Sequence, residues 1–152
     1  MNNPYIKLKE YINERDYNDI QQLKAICCEH DNVTLKLELE YKLNLAREKS
    51  GNINSINEFM YYEDKELVGY LGICEFGGDA IEANGMVHPD YRRRGIFKKL
   101  YSCMVNEWMN RDKKSMLLLS DHESVPGLQF IKSVNGVYEH SEYEMYLTGK
   151  GK

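Results

Sequence analysis

The chain has 152 residues, of which 42% are hydrophobic and 29% are charged, and its formal net charge is -4. This length and composition predict one soluble domain over residues 1–152, and the acidic balance disfavours a nucleic-acid-binding protein. No apolar run reaches the roughly 18–20 residues of a membrane-spanning helix, and the first residues lack the basic-then-apolar pattern of a signal peptide. We therefore expect a cytoplasmic protein that binds neither nucleic acid nor membranes.

The cysteines and histidines do not suggest a metal site. Cys27 and Cys28 are adjacent, and no Cys-x-x-Cys motif occurs in the chain. The four histidines are scattered without the spacing of zinc ligands. We therefore expect free thiols and no bound metal.

The first elements along the chain are two predicted helices. Residues 16–29 carry one apolar stripe at helical spacing, and Asp16 can cap the helix. Residues 33–45 are ambiguous, because every odd position is apolar, which is the alternation of a strand. Their content of Leu, Glu and Lys and the i,i+4 spacing of Glu38 and Lys42 favour a helix, which we predict.

The later elements are mostly strands. Alternation or short apolar runs between polar turns predict strands, and a period of 3.6 residues predicts helices. In chain order we predict strands at 58–62, 67–76 and 80–87, a helix at 95–111, a strand at 115–120, a helix at 124–134 that Ser124 caps, and a strand at 142–147. This order indicates a mixed α/β fold of the α+β type, built around a central sheet.

A basic loop separates the predicted strand at 80–87 from the helix at 95–111. Arg92, Arg93 and Arg94 precede Gly95, where the helix begins. Helix N-termini present unpaired N–H groups and the positive end of the helix dipole, and glycine lets the backbone approach a ligand closely. The loop therefore predicts a site for a polyanion such as a phosphate ester, with a solvated basic turn as the alternative.

The residues of this loop resemble the signature of the GNAT superfamily of N-acetyltransferases. The family pattern is Val-x-Pro-x-Tyr-Arg followed by Gln/Arg-x-x-Gly-x-Gly/Ala, and here the chain reads Val87-His88-Pro89-Asp90-Tyr91-Arg92-Arg93-Arg94-Gly95-Ile96-Phe97. The resemblance extends from about residue 16 to residue 147. It implies a mixed, mostly antiparallel central sheet flanked by helices and splayed at the strand before the loop.

The same resemblance implies an activity. Acetyl-CoA would be the co-substrate, and its acetyl group would pass by direct attack on the thioester to an amine acceptor, either a small molecule or a peptide. The main chain at Met86 and Val87 would pair with the pantetheine arm, and the loop would hold the pyrophosphate. The cofactor-binding residues that it implies are Met86, Val87, Arg92, Arg93, Arg94, Gly95, Ile96, Phe97, Lys98 and Ser124. No metal is implied, and a homodimer is compatible with the family.

Two positions depart from the family pattern. Phe97 stands where Gly or Ala is usual, so we expect its ring to point away from the phosphates and to pack beside Tyr101. The family often has a tyrosine on its last helix that protonates the leaving thiolate, and Ile131 stands at that position here. Tyr138, Tyr143 or solvent would then supply the proton. These departures also leave open a catalytically weak or inactive acyl-CoA-binding module.

Glu82 is the candidate general base. Strand alternation places Glu82 and Asn84 on one face of the strand at 80–87, which suggests a water-accessible cleft beside the thioester. An amine with a pKa of about 10.4 must lose a proton before it attacks, and the family often has a carboxylate on this strand. The alternative is a structural role for Glu82 at the edge of the sheet.

Overall fold

The computed structural model describes residues 3–35, 37–48, 55–75, 80–111, 115–119, 129, 137–138 and 144–147. The strands are β1 (Pro4–Lys9), β2 (Glu58–Glu63), β3 (Glu66–Cys74), β4 (Ala80–Val87), β5 (Ser115–Leu119), β6 (Val137–Tyr138) and β7 (Glu144–Leu147), and the helices are α1 (Glu14–Asp31), α2 (Leu39–Glu48) and α3 (Ile96–Met109). Within these residues the strands form one sheet in the order β1-β2-β3-β4-β5-β7-β6. The β4–β5 pair is parallel and the others are antiparallel, so the predicted fold class is confirmed.

Most helices and strands form where the sequence predicts them, with shifted ends. Asn13 rather than Asp16 is the N-cap of α1, and Asp16 closes a capping box by accepting a hydrogen bond from the Asn13 backbone N–H. The second helix begins at Leu39, later than the predicted residue 33. Strand β1 was not predicted. Apart from Gln129, the predicted helix at 124–134 lies outside the described residues.

The helices cover opposite faces of the sheet, because successive side chains of a strand point to opposite sides. On one face α3 packs through Ile96, Leu100, Met104 and Trp108 against the odd-numbered residues of β4. On the other face α1 and α2 pack against a second cluster that includes Met86. The even-numbered residues of β4, Glu82 and Asn84 among them, therefore face the side of α1 and α2.

A buried ion pair anchors α2 to the sheet. Lys42 Nζ donates to Glu58 Oε2 at 2.8 Å and to the carbonyl oxygen of Ile73 at 2.6 Å. The Tyr70 hydroxyl donates to Glu58 Oε1 at 2.5 Å. Burial raises the pKa of Glu58, and these donors oppose that rise by stabilising the carboxylate. The two contacts of Lys42 fix α2 over β2 and β3, and the Tyr70 hydroxyl holds Glu58 in place.

The pairing between β4 and β5 stops halfway along β4. The parallel pairing covers Ala80 to Ala83, and its last register pair is Ala83 with Leu118. On its other edge β4 stays paired with β3 up to Val87, which lies opposite Gly69. In the described residues the second half of β4 therefore has one paired edge and one open edge, which is the splay expected before the loop.

Candidate active site

A cavity of about 720 Å³ opens where β4 and β5 diverge. It reaches from the basic loop and the first turn of α3, across the end of β4, to the C-terminal end of α1 and the segment that follows it. Its lining includes Cys27 and Asp31 from α1, Asn84 and Gly85 from β4, and Phe97 and Tyr101 from α3. The cavity thus joins the basic loop, residues 92–95, to the open edge of β4.

The main chain of β4 presents polar groups to this cavity at alternate residues. The His88 N–H donates to the Val68 carbonyl at 2.8 Å, which fixes the hydrogen-bonded pairs with β3 at every even position of this stretch. Met86, whose main chain was expected to pair with the pantetheine arm, therefore directs its N–H and C=O toward β3 instead. Gly85 and Val87 direct theirs toward the open edge, where the Gly85 N–H donates to Asn84 Oδ1 at 2.8 Å.

The loop before α3 has the backbone shape of an anion site. Arg93 has a φ of 65° and Gly95 a φ of 76°, so two left-handed residues alternate with extended or helical ones. Such alternation points successive N–H groups into one concavity. No side chain caps α3 at Gly95, and a Cβ built on Gly95 would have no atom within 4 Å. The N–H groups of the first turn of α3 therefore face open space that a phosphate group fits.

The three arginines of the loop make different contacts. Arg92 donates two hydrogen bonds to the Asp31 carboxylate, at 2.8 and 2.7 Å, and its Nε donates to the Val87 carbonyl at 2.9 Å. Arg94 lies over the Tyr91 ring, 5.0 Å from its centroid. Arg93 is exposed, as is Lys98 on the first turn of α3. The guanidinium of Arg92 is thus held within the protein, while Arg93 and Lys98 are open to an anion.

The ion pair of Arg92 with Asp31 ties the loop to α1. The hydrogen bonds from Arg92 lower the pKa of Asp31, and the same contact raises the pKa of Arg92. Both side chains are largely buried. The Cys27 thiol, one turn earlier in α1, donates to the same Val87 carbonyl at 3.4 Å. The end of β4, the loop and the end of α1 therefore form one connected unit.

Phe97 packs against the core and also lines the cavity. It is half-buried and, with Tyr101, contacts the core cluster on the α3 face. Its Cε1 atom would lie 2.7 Å from a Cβ placed on Gly85, so the absence of a side chain at Gly85 makes room for the ring. The ring therefore lies beside the open part of β4, and the loop N–H groups stay accessible.

The cysteine of the cavity is not poised as a nucleophile. Burial raises the pKa of Cys27 to about 11, against an opposing effect of Arg92. At neutral pH the side chain is therefore a thiol, and a thiol is a poor nucleophile compared with a thiolate. Cys27 acts as a hydrogen-bond donor to the end of β4.

Glu82 lies just below the point where the sheet opens. It is half-buried, and its register partners are Cys74 on β3 and Leu117 on β5. It directly precedes Ala83, the last residue of β4 that pairs with β5, and it shares a strand face with Asn84, which lines the cavity. This position leaves the predicted base role open to test. The other predicted site residues, Ser124 and Tyr143, lie outside the described residues, as does Ile131.

Sequence reasoning missed several cavity residues. Asp31 and Arg92 are 61 positions apart, and neither a motif nor a period links them. Val33 and Leu35, in the segment before α2, also line the cavity. Tyr101 was noticed only as a packing partner of Phe97. Its i,i+4 spacing from Phe97 was the signal that could have placed it on the cleft side of α3.

Neither a cluster of metal ligands nor a membrane-spanning helix occurs among the described residues. Among the described residues, no three His, Cys, Asp or Glu side chains are grouped as metal ligands would be. Of the helices in that part of the chain, none combines the length and apolar content that crossing a bilayer requires.

Comparisons with known proteins give a family and a fold. The family model described as an acetyltransferase (GNAT) domain matches residues 55–144. A comparison with curated protein sequences finds no significant match. Among solved structures, the chain is similar to a PaiA N-acetyltransferase from Thermoplasma acidophilum in complex with coenzyme A, with a TM-score of 0.72 and 13% identity over 95% of this chain and 99% of that one.

Two further structures have the same fold. Ard1 from Thermoplasma volcanium matches with a TM-score of 0.68 and 15% identity, over 95% of this chain and 97% of that one. A GNAT family acetyltransferase from Brucella melitensis in complex with acetyl-CoA matches with a TM-score of 0.67 and 14% identity, over 96% and 88%. At these identities the likeness concerns the fold.

The ion pair of Asp31 predicts a specific pH dependence of stability. The folded-state pKa of Asp31 is lowered from an ordinary value of about 3.9, so the pair stabilises the folded protein above that pH and its contribution disappears as the pH falls through the lowered pKa. At pH 7 we expect Asp31→Asn to lower the free energy of unfolding by about 1–2 kcal/mol. The difference from the wild type should shrink below about pH 4.

Urea unfolding of both proteins between neutral and acidic pH measures this difference. Asp90→Asn, which changes an exposed carboxyl group in the neighbouring turn, is the matched control and should follow the wild type. An Asp31→Asn variant as stable as the wild type at pH 7 would show that the pair contributes nothing to folding.

Proposed function

Because the chain belongs to the GNAT acetyltransferase family, we propose that it transfers an acetyl group from acetyl-CoA to an amine acceptor by direct attack on the thioester. The acceptor is a small molecule or a peptide. The observation that carries the proposal is the continuous cavity that joins the N-terminus of α3 to the open edge of β4. One end suits a pyrophosphate, and the other suits an extended amide-containing arm.

The loop and the open edge of β4 would match two parts of acetyl-CoA, the pyrophosphate and the pantetheine arm. The N–H groups from Arg93 to Lys98 would hold the pyrophosphate, with the exposed Arg93 and Lys98 side chains adding positive charge. The amides of the pantetheine arm would hydrogen-bond with the Gly85 carbonyl and the Val87 N–H at the open edge, because Asn84 already accepts from the Gly85 N–H and Arg92 already donates to the Val87 carbonyl. Arg92 would act indirectly by holding the loop in place through Asp31.

Direct attack is favoured over an acyl-enzyme. The cysteine of the cavity, Cys27, has a raised pKa and is protonated at neutral pH, so it is poorly suited to accept the acetyl group. In the proposed step the amine nitrogen attacks the thioester carbonyl, the C–S bond breaks, and CoA leaves. The ammonium form of the acceptor must first lose a proton, and Glu82 would take it directly or through one water.

The alternative function is binding of acyl-CoA without turnover. Phe97, where the family pattern has Gly or Ala, favours it, because the ring lies against Gly85 at the open edge and takes up space there. Release of free thiol from acetyl-CoA, measured against a panel of amines, distinguishes the two functions. Turnover with any amine supports the transferase, and tight binding with no turnover supports the binding module.

The phosphate site is tested by substitution of Gly95. Both Gly95→Asp and Gly95→Ala place a Cβ in the open space of the loop and share the strain of a φ of 76°. Only the first adds a negative charge where we place the pyrophosphate. We expect Gly95→Asp to raise the Kd for acetyl-CoA at least about tenfold, or about 1.4 kcal/mol. Gly95→Ala should raise it less.

Isothermal titration calorimetry gives these dissociation constants, and a thermal melt verifies folding of each variant. If folded Gly95→Asp binds acetyl-CoA as the wild type does, the phosphate site lies elsewhere. If the wild type itself does not bind at millimolar acetyl-CoA, the proposed function is wrong.

The base role is tested by Glu82→Gln, which keeps the shape of the side chain and removes the proton acceptor. We expect kcat to fall about 100-fold, at the low end of the usual effect of general-base loss, with the Kd for acetyl-CoA unchanged. Partial recovery should occur at high pH, where more of the amine is neutral. Glu40→Gln, on the exposed start of α2, is the control and should keep wild-type kcat. A wild-type kcat and pH profile in Glu82→Gln would remove Glu82 from the mechanism.

A further inference from the structure

The proposed reaction needs a proton at the sulfur as well as a base at the nitrogen. The thiol of CoA, with a pKa near the 8.5 of a cysteine, leaves as a thiolate and ends protonated at neutral pH. A donor beside the sulfur would speed this departure. Ile131 has no proton to give, so the chain needs another donor if this step is catalysed.

The geometry of α3 places a tyrosine of the described residues close to that point. Strands β4 and β5 are parallel, so α3, which connects them, must run back in the opposite direction. Phe97 on its first turn lies against Gly85. Tyr101 follows one turn later, about 6 Å further along the helix, which corresponds to about two strand residues. Tyr101 therefore lies at the level of Ala83.

Ala83 marks the place where the sheet opens. It is the last residue of β4 that pairs with β5, and its partner is Leu118. Ala83, Leu118 and Tyr101 all line the same cavity. An arm that pairs with Val87 and Gly85 and continues along β4 reaches this point next. The reacting thioester would therefore lie where Tyr101 faces the cavity.

The environment of Tyr101 suits a proton donor. The side chain is half-buried against the core cluster on the α3 face, and burial raises its pKa, so the phenol keeps its proton at neutral pH. Tyr91 also lines the cavity, but its hydroxyl donates to Glu66 at 3.3 Å on the exposed side of the loop. Of these two tyrosines, Tyr101 is the one that lies at the level of Ala83.

We propose that the Tyr101 hydroxyl donates the proton to the sulfur of the departing CoA. This inference rests on the proposed function. As the C–S bond breaks, its electron pair goes to the sulfur, which takes the phenolic proton and leaves as a thiol. The tyrosinate regains a proton from solvent, which receives the proton that the amine has lost. Acid and base then act from opposite faces of β4, since Glu82 faces α1 and α2.

The test is Tyr101→Phe, which keeps the ring and removes the hydroxyl. We expect kcat to fall about 100-fold, at the low end of general-acid effects because a thiolate is a tolerable leaving group, with the Kd for acetyl-CoA unchanged. The defect should grow with the oxygen-ester analogue of acetyl-CoA, whose alkoxide leaving group needs the proton far more. Tyr62→Phe, which removes a hydroxyl bonded to Asp19 outside the cavity, is the control and should keep wild-type kcat.

A second measurement needs no acceptor. A hydrogen-bond donor beside the sulfur stabilises the thiolate, so the thiol of bound CoA should have a lower pKa in the wild type than in Tyr101→Phe. The ultraviolet absorbance of the thiolate measures this titration. The role of Tyr101 would be overturned if bound CoA had the same thiol pKa in the wild type and in Tyr101→Phe. It would also be overturned if the kcat defect of Tyr101→Phe were the same with acetyl-CoA and with its oxygen-ester analogue. Absence of turnover in the wild type would count against the proposed function instead, because the titration of bound CoA is independent of it.

Discussion

The early end of the β4–β5 pairing is the constraint on which the site depends. Neighbouring parallel strands normally hydrogen-bond to each other's main-chain N–H and C=O groups. Here that pairing stops at Ala83 and Leu118, while β4 continues to Val87. Pairing with β3 from Glu82 to Val87 supports this part of the strand as its other edge opens. Backbone N–H and C=O groups must find partners, so an open edge inside a protein is a binding surface for an extended polar chain.

The loop after β4 is held by contacts that reach across the fold. Arg92 returns to the Val87 carbonyl at the end of its own strand and pairs with Asp31 at the end of α1. The basic loop is therefore fixed to both β4 and α1, which border the cavity. This explains why the first arginine of the motif is held inside the protein, while Arg93 stays exposed and can meet an anion.

The parts of the molecule that sequence analysis predicted are those that local rules determine. Residues close together in the chain determine three of these parts: the helical period of α3, the basic loop before it, and the hairpin of β2 and β3. The N-cap of α1 was misplaced by three residues because Asn13 and Asp16 both belong to a capping box, and either suits a cap. Strand β1 was missed because it lies at the edge of the sheet, where Tyr5 and Leu8 stay exposed and no strong pattern is needed. The ion pairs of Lys42 with Glu58 and of Arg92 with Asp31 could not be predicted, since only the tertiary fold brings them together.

The central claim is that acetyl-CoA completes the open edge of β4, and amide hydrogen exchange measured by NMR tests it most directly. On addition of saturating CoA, we predict slower exchange at the Val87 amide, which faces the open edge, whereas the Gly85 amide already donates to Asn84 Oδ1. The Met86 amide, already bonded to β3, should change little. Unchanged exchange at Val87 in a protein that binds CoA would contradict the claim and place the pantetheine arm elsewhere.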